Sequence, residues 1–367
     1  MNGRFLLNGK FLAAEPTGVH RVARELANAL ADLIAEGHPA AAGLSLDALV
    51  PRDAVGRAGL LRVPVRELGP FTHIPWEQGT LPLRRRAGAG TLLNLCNIGP
   101  VLARDAVTMI HDVQVVLSPG SYRRAFRAWY RALQPIIARR HRLLLTVSDY
   151  SKAQIVAAGL APAERIAVIR NGVDHVLAAP ADRAAVTRLG LRPGGYVLGL
   201  ASTQVHKNIA VLMAAFADPA LDGLKLVLFG AADRADFAAA GLVPPDNVVF
   251  AGRLSDGAVR ALMEDALCLG FPSMTEGFGL PPLEAMLLGC PALVAPCGAL
   301  PEVCGDAAAS VPPHEPAAWV SAIARLAHHE GHRTELARRG RARAARFTWR
   351  AAALDLAAVL RELDRVP

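Results

Sequence analysis

Two glutamates eight residues apart, Glu276 and Glu284, bracket a turn of glycines and prolines in the stretch FPSMTEGFGLPPLE, residues 271–284. The apolar run from Ala266 to Phe271 reads as a buried strand. Pro281 can open the following helix, because the N–H that proline lacks is not needed there. Gly277 and Gly279 let the backbone approach a ligand. The amides of Phe278, Gly279 and Leu280 can converge at the positive end of that helix, an anion site by geometry. Carboxylates beside an anion site make sense if they accept from hydroxyls. A ligand carrying both a diphosphate and sugar hydroxyls, such as a nucleotide sugar, satisfies the amides and the acids together. Taken alone, two glutamates at this spacing are equally an ordinary strand–turn–helix with incidental acids.

Further residues of chemical type lie at predicted strand ends. Lys207 follows the strand Tyr196–Leu200 in the segment ASTQVHKN, where a lysine is a natural diphosphate partner. His111 and Asp112 follow the apolar run Ala106–Ile110. A histidine at such a place is well sited for chemistry, although a lone one is more often a satisfied polar group. Asn97 lies in the turn segment that follows the strand Thr91–Leu95 and could contact a sugar or simply make a turn. Gly18 opens a helix capped by Thr17, again after a strand, Arg4–Leu7. Arg253, in AGRLSD after Val248–Phe250, could stack on a base or stand at the surface.

These positions share one logic. Strands and helices alternate along the chain, which predicts an α/β protein with parallel sheets, and ligands on such sheets sit at the carboxyl ends of strands. Further strands are expected at Leu44–Val50, Leu61–Leu68, Leu143–Val147, Ile166–Ile169, Lys225–Phe229 and Ala292–Ala295. The turn RNGVD, residues 170–174, and the Ala/Pro-rich stretch after it place a domain boundary near residue 180.

Composition narrows the classes. The 367 residues suit two ordinary domains, and 52% apolar with 20% charged residues describes a globular chain. No apolar run spans a bilayer, and the first residues lack a signal-peptide core, so a cytoplasmic location is expected. Five cysteines without CxxC spacing suggest neither a disulfide framework nor a zinc site. No Asp-x-Asp occurs, so a metal-bridged diphosphate has no obvious ligands and no cofactor is called for. Residues 1–180 carry 22 Lys and Arg against 13 Asp and Glu, a net of +9, whereas the remainder carries 18 against 19, a net of −1. The basic residues concentrate at 122–142, where Arg123, Arg127 and Arg131 alternate with Phe126, Trp129 and Tyr130. That segment could rest on anionic lipid headgroups, or present a solvated face with its aromatics turned inward. No nucleic-acid-binding motif is present.

The stretch EGFGLPPLEAMLLGCPALVAP, residues 276–296, continued by Leu300-Pro-Glu-Val303, resembles the signature of glycosyltransferase family 4. TGVHRVARELANAL, residues 17–30, resembles the glycine loop and first helix of bacterial polysaccharide mannosyl- and rhamnosyl-transferases of that family. The resemblance covers nearly the whole chain and is strongest from 248 to 310. It implies the GT-B architecture: two Rossmann-like domains facing a central cleft, residues 1–180 binding acceptor and 181–346 binding a nucleotide diphosphate sugar, with a last helix, 347–367, crossing back to the first. It implies retaining hexosyl or deoxyhexosyl transfer, from a GDP-mannose-like or UDP-hexose-like donor, to a glycan or lipid-linked oligosaccharide, as in lipopolysaccharide synthesis. The enzyme would be cytoplasmic and could sit peripherally on the inner face of the plasma membrane.

Carried over residue by residue, Lys207 and the amides of Phe278–Leu280 hold the diphosphate and Glu284 the ribose. Glu276 and His111 face the sugar, Gly18 shapes the pocket, and Arg253 lies near the base. Family members commonly have Arg where this chain has His206, which leaves the second phosphate contact open. Two alternatives stand beside this reading. One is a non-catalytic sugar-nucleotide or glycan-binding protein of the same fold. The other is a nicotinamide-dependent oxidoreductase, for which Pro16-Thr-Gly-Val-His-Arg21 lacks G-x-G-x-x-G.

Overall fold

The computed structural model describes residues 3–84 and 90–365. By internal contacts the chain forms two compact units, parting after Gly172 and again after Phe347, with the short segment Ser118–Tyr122 counted in the second unit. The sequence placed this boundary near residue 180.

The first unit is built on seven parallel strands: β1 Gly3–Asn8, β2 Leu44–Val50, β3 Val65–Glu67, β4 Thr91–Asn94, β5 Ala106–Met109, β6 Leu143–Thr146 and β7 Ile166–Val168. Their order is β3-β2-β1-β4-β5-β6-β7, so the direction of winding reverses between β1 and β4. Consecutive residues Leu6–Leu7 and Leu92–Leu93 are fully buried. That is the mark of a parallel sheet covered on both faces. The expected strand Leu61–Leu68 is shorter: only Val65–Glu67 pairs, in register with Ala48–Val50. Pro64, with no N–H to give a ladder, precedes it.

The helix Gly18–Ala35 turns Val22, Ala23, Leu26, Ala27, Leu30 and Leu33 inward, a helical spacing of apolar residues. Packed against it is the closing helix Trp349–Arg365, through a stripe that includes Ala352, Ala353, Leu356, Ala357 and Leu360. Helix Arg124–Arg140 buries Leu133, Gln134, Ile137 and Ala138. Trp129 and Tyr130 are half-buried, whereas Phe126 and Ile136 stay exposed among the arginines.

The second unit repeats the plan with β8 Tyr196–Leu200, β9 Lys225–Phe229, β10 Val248–Gly252, β11 Cys268–Phe271, β12 Ala292–Val294 and β13 Ala309–Ser310. Here the order is β10-β9-β8-β11-β12-β13, reversing between β8 and β11. Its core joins Leu212, Leu228, Phe237, Cys268, Trp319 and Ile323. Two sheets of this winding, each with helices on both faces, are Rossmann-like. Among the described residues no helix is long and apolar enough to cross a membrane.

Candidate active site

On a doubly wound sheet a ligand settles beyond the carboxyl ends of the strands where the order reverses. In the second unit those strands are β8 and β11, and the turns that follow them carry Lys207 and Glu276. The two turns are clipped together. The His206 carbonyl accepts from Met274 N at 2.8 Å and from Ser273 Oγ at 3.2 Å. Asn208, held in the left-handed conformation at φ 53°, donates through Nδ2 to the carbonyls of Pro272 at 3.3 Å and Pro313 at 2.6 Å. Across this clip Lys207 Nζ donates to Glu276 Oε1 at 2.7 Å, with the side chains 18% and 11% exposed. Two residues read from the sequence as separate contacts are thus one nearly enclosed ion pair.

Glu276 is also gripped by its backbone. Ala299 N donates to the Glu276 carbonyl at 3.0 Å. Gly298 lies so close that a Cβ there would stand 2.5 Å from Glu276 N, and its φ of 63° is in the left-handed region that favours glycine. Gly279 caps the helix Leu280–Leu287 at φ 100°, and a Cβ on it would meet Leu300 Cδ2 at 2.6 Å. The helix begins one residue earlier than expected, so both Pro281 and Pro282 fall in its first turn. Neither proline has an N–H to offer a ligand at that turn. Gly277 and Phe278 are buried, and Phe278 meets Phe347 edge-on at 5.8 Å. Glu284, the fifth helical residue, pairs through Oε1 with Nε2 of His175 at 3.1 Å.

His206 is buried, with Nδ1 2.9 Å from Ser121 Oγ and its ring stacked on Tyr122. Burial, reinforced by the Lys207 charge and opposed by Glu276, lowers its pKa to about 4, so the imidazole is neutral at pH 7. Its Nε2 is buried with no hydrogen-bond partner among the described residues. Arg253 is exposed, one residue beyond Gly252, which turns the chain at φ 69°.

Three candidate residues belong to the first unit. His111, just past β5, is clamped by its backbone: its N–H donates to Asn97 Oδ1 at 2.7 Å, and its carbonyl accepts from Ser151 Oγ at 2.8 Å. Nε2 lies 2.8 Å from the Leu95 carbonyl. A carbonyl only accepts, so Nε2 carries the proton and Nδ1 keeps the lone pair. Burial chiefly lowers the His111 pKa to about 4; the Leu95 bond opposes this and the nearby His20 adds to it. Asn97 sits in the left-handed region at φ 59° and also bonds the Tyr130 side chain. Gly18 is exposed at the start of its helix, where Thr17 Oγ1 caps His20 N at 3.5 Å.

Several supporting groups escaped the sequence reading because their partners are remote in the chain. Asn8, at the end of β1, donates to Glu77 Oε1 at 2.9 Å and to Asn94 Oδ1 at 3.0 Å, and Lys10 pairs with the same buried Glu77. Glu77 stands on the π-helical turn Trp76–Thr80. Ser121 and His175 likewise had no local signal. Among the described residues no group of three or more His, Cys, Asp or Glu is arranged to hold a metal ion.

Residues 194–343 match the family described as "Glycosyl transferases group 1". The O-antigen chain mannosyltransferase B of Escherichia coli is 30% identical over 256 residues, 66% of this chain and 67% of that protein. A D-inositol 3-phosphate glycosyltransferase of Salinispora arenicola is 33% identical over 209 residues, 50% of this chain and 47% of that protein. Among solved structures, sucrose-phosphate synthase from Thermosynechococcus elongatus superposes over the full length of both chains with a TM-score of 0.73 at 21% identity. Anabaena HepE, solved with UDP and glucose, covers 99% of this chain and 100% of its own, with a TM-score of 0.73 at 19% identity. These structural likenesses bear on the fold, which is GT-B. The sequence relationship carries the rest: the chain belongs to the group 1 glycosyltransferases, glycosyltransferase family 4, a family of retaining hexosyltransferases.

Proposed function

We propose that this glycosyltransferase moves a hexosyl or deoxyhexosyl group from a nucleotide diphosphate sugar to a glycan or lipid-linked acceptor in surface polysaccharide synthesis. Two O-antigen mannosyltransferases among its relatives favour mannose as the sugar, and the UDP bound to HepE keeps a uridine donor in view. The observation that carries the reading is the Lys207–Glu276 pair, clipped beside the glycine-capped start of helix Leu280–Leu287, beyond the switch point of the second sheet.

In this reading the amides of Phe278–Leu280 and the Lys207 ammonium hold the diphosphate, and Glu284 accepts from the ribose. Glu276 accepts from a sugar hydroxyl with one oxygen while the other retains Lys207. As the anomeric C–O bond to the diphosphate lengthens, negative charge grows on the leaving oxygens. Fixed donors already aimed there stabilise that charge without reorganising. The acceptor oxygen attacks from the face the diphosphate is leaving, and a diphosphate oxygen takes its proton, so configuration is retained without a covalent enzyme intermediate. Neutral His111 offers the Nδ1 lone pair to a sugar hydroxyl. His206 offers the diphosphate a hydrogen bond rather than a charge. Asn97, Gly18 and Arg253 keep the sugar, pocket and base contacts that the family resemblance implies. Family membership removes the oxidoreductase alternative.

The test is a thermal-shift titration with UDP, GDP, ADP, dTDP and NAD without added metal, followed by turnover of the matching labelled sugar donor. A ligand of the folded state raises its melting temperature. We expect one of UDP or GDP to shift it selectively, Glu284→Ala to reduce that shift without removing it, and His111→Ala to keep it while slowing transfer by about tenfold or more. Binding without turnover on any glycan acceptor would favour the non-catalytic alternative.

A further inference from the structure

The Glu284 carboxylate is not free to turn. Its Oε1 lies 3.1 Å from Nε2 of His175, and the two side chains are only 14% and 6% exposed. A carboxylate accepts and cannot donate, so the proton between them is on Nε2. His175 stands in the turn Asp174–Leu177, where the sequence showed only a turn and an Ala/Pro-rich stretch leading to a domain boundary. The turn is anchored on both sides. Val173 N, ahead of it, donates to the Phe347 carbonyl at 3.0 Å, and Ala178 N, behind it, donates to the His175 carbonyl at 3.1 Å. Arg260 Nη1 donates to the carbonyls of Leu177 and Ala179, each at 3.0 Å, and Arg260 is itself held by Glu264 at 2.8 Å. A turn pinned in this way holds its inward-pointing imidazole in one place.

We propose that His175 is a positioning residue. By holding Oε1 it fixes the plane of the Glu284 carboxylate, so that this group accepts from the vicinal hydroxyls of a ribose and discriminates against sugars that lack them. This rests on the reading of Glu284 as the ribose contact. A carboxylate with free rotation loses part of its binding to the entropy of being oriented, whereas one locked by a neighbour has already borne that loss. A site whose buried acceptor is left unpaired by a deoxy analogue rejects it strongly. His175 thus acts on selectivity for the nucleotide's sugar.

The experiment measures, by calorimetry on the full chain, the affinity of UDP against 2′,3′-dideoxy-UDP and of GDP against 2′,3′-dideoxy-GDP. The wild type is expected to prefer the ribonucleotide of its own base by about tenfold or more, the scale of a hydrogen bond to a charged group. Glu284→Ala should erase that preference. His175→Ala should erase most of it while leaving dideoxynucleotide affinity within about twofold, and His175→Gln, whose amide can donate to the same oxygen, should restore it. His175→Leu serves if the alanine variant fails to fold. Absence of binding by both UDP and GDP, absence of a wild-type preference, or a preference that survives Glu284→Ala would remove the ribose reading and the proposal with it. If Glu284→Ala erases the preference but His175→Ala and His175→Leu keep it, or weaken ribo and dideoxy ligands equally, the ribose reading stands and the positioning role is wrong.

Discussion

Lys207 and Glu276 neutralise one another at 2.7 Å in surroundings that are mostly enclosed. Removing one partner of such a pair costs more than the pair itself contributes, because the survivor is left desolvated and unpaired. The two possible losses are not equivalent. Lys207→Ala deletes the positive charge assigned to the diphosphate and leaves a bare carboxylate beside it. Donor affinity and transfer should both fall, with kcat/KM down by at least about a hundredfold, the scale of one lost preorganised contact. Glu276→Gln keeps the volume and leaves Lys207 free for the diphosphate, so nucleotide binding should persist or tighten while transfer collapses. Binding isotherms beside initial rates separate these outcomes. Equal loss of binding in both variants would contradict the assignment of sugar to one and diphosphate to the other.

At the scale of elements, the site is two turns sewn together by backbone and side-chain bonds, and its weak point is Gly298. Alanine there must adopt a positive φ and place its Cβ 2.5 Å from Glu276 N. The left-handed conformation alone costs a non-glycine residue about 1 kcal/mol, before any clash is relieved. We expect Gly298→Ala to lower stability by roughly 2–3 kcal/mol and to displace Glu276, with transfer reduced more than nucleotide binding. Urea titration and steady-state kinetics would show it; unchanged rates would mean that the 297–299 turn does not set Glu276.

Buried imidazoles tie other elements to pH. His141 links helix Arg124–Arg140 to β5: its Nε2 faces the Pro100 carbonyl at 3.1 Å, and its Nδ1 lies 2.7 Å from Thr108 Oγ1. Its pKa, like those of His111 and His206, is lowered from 6.5 to about 4, mainly by burial. Between those values the unfolded chain binds more protons than the folded one, so folding stability rises with pH across that window. Stability should therefore be level in these terms above about pH 6.5 and fall as pH drops towards 4. Each histidine accounts for a few kcal/mol at most, since one pKa unit is about 1.4 kcal/mol. Denaturant midpoints from pH 4 to 8 check this; a flat profile would show that these rings are solvated.

For the molecule as a whole, the closing helix is the point of dependence. It belongs to the first unit although 175 residues of the second lie between Gly172 and Thr348. Leu356 and Leu360 are fully buried in its seam. Burying a leucine contributes about 2 kcal/mol, a large share of a domain's net stability. Truncation after Thr348 should therefore unfold the first unit, whereas Arg350→Ala, which cuts an exposed ion pair with Glu36, should leave the melting temperature almost unchanged. The exposed Phe126 and Ile136 among the arginines of helix Arg124–Arg140 keep the lipid-surface expectation alive. Binding to anionic vesicles should weaken steeply between low and physiological salt, and equal binding to neutral vesicles would remove it.

What the sequence determined alone was what is written in contiguous residues. Two-faced burial made β1, β4, β8 and β9 readable as apolar runs, and glycine with proline marked the turn at 277–282, because strand, turn and helix preferences act over a few neighbours. The same local grammar placed Lys207, Glu276 and His111 at strand ends or just beyond them, and Glu284 on the helix that follows. The tertiary structure alone decided which of them meet. That Lys207 pairs with Glu276 across 69 positions, that Gly298 presses on the Glu276 backbone, and that His175 reaches from the boundary turn to Glu284 depend on strand order and turn packing. No run of neighbouring residues encodes these meetings. Burial is decided in the same way, and it is burial that holds His111 and His206 neutral, a state their residue type leaves open at physiological pH.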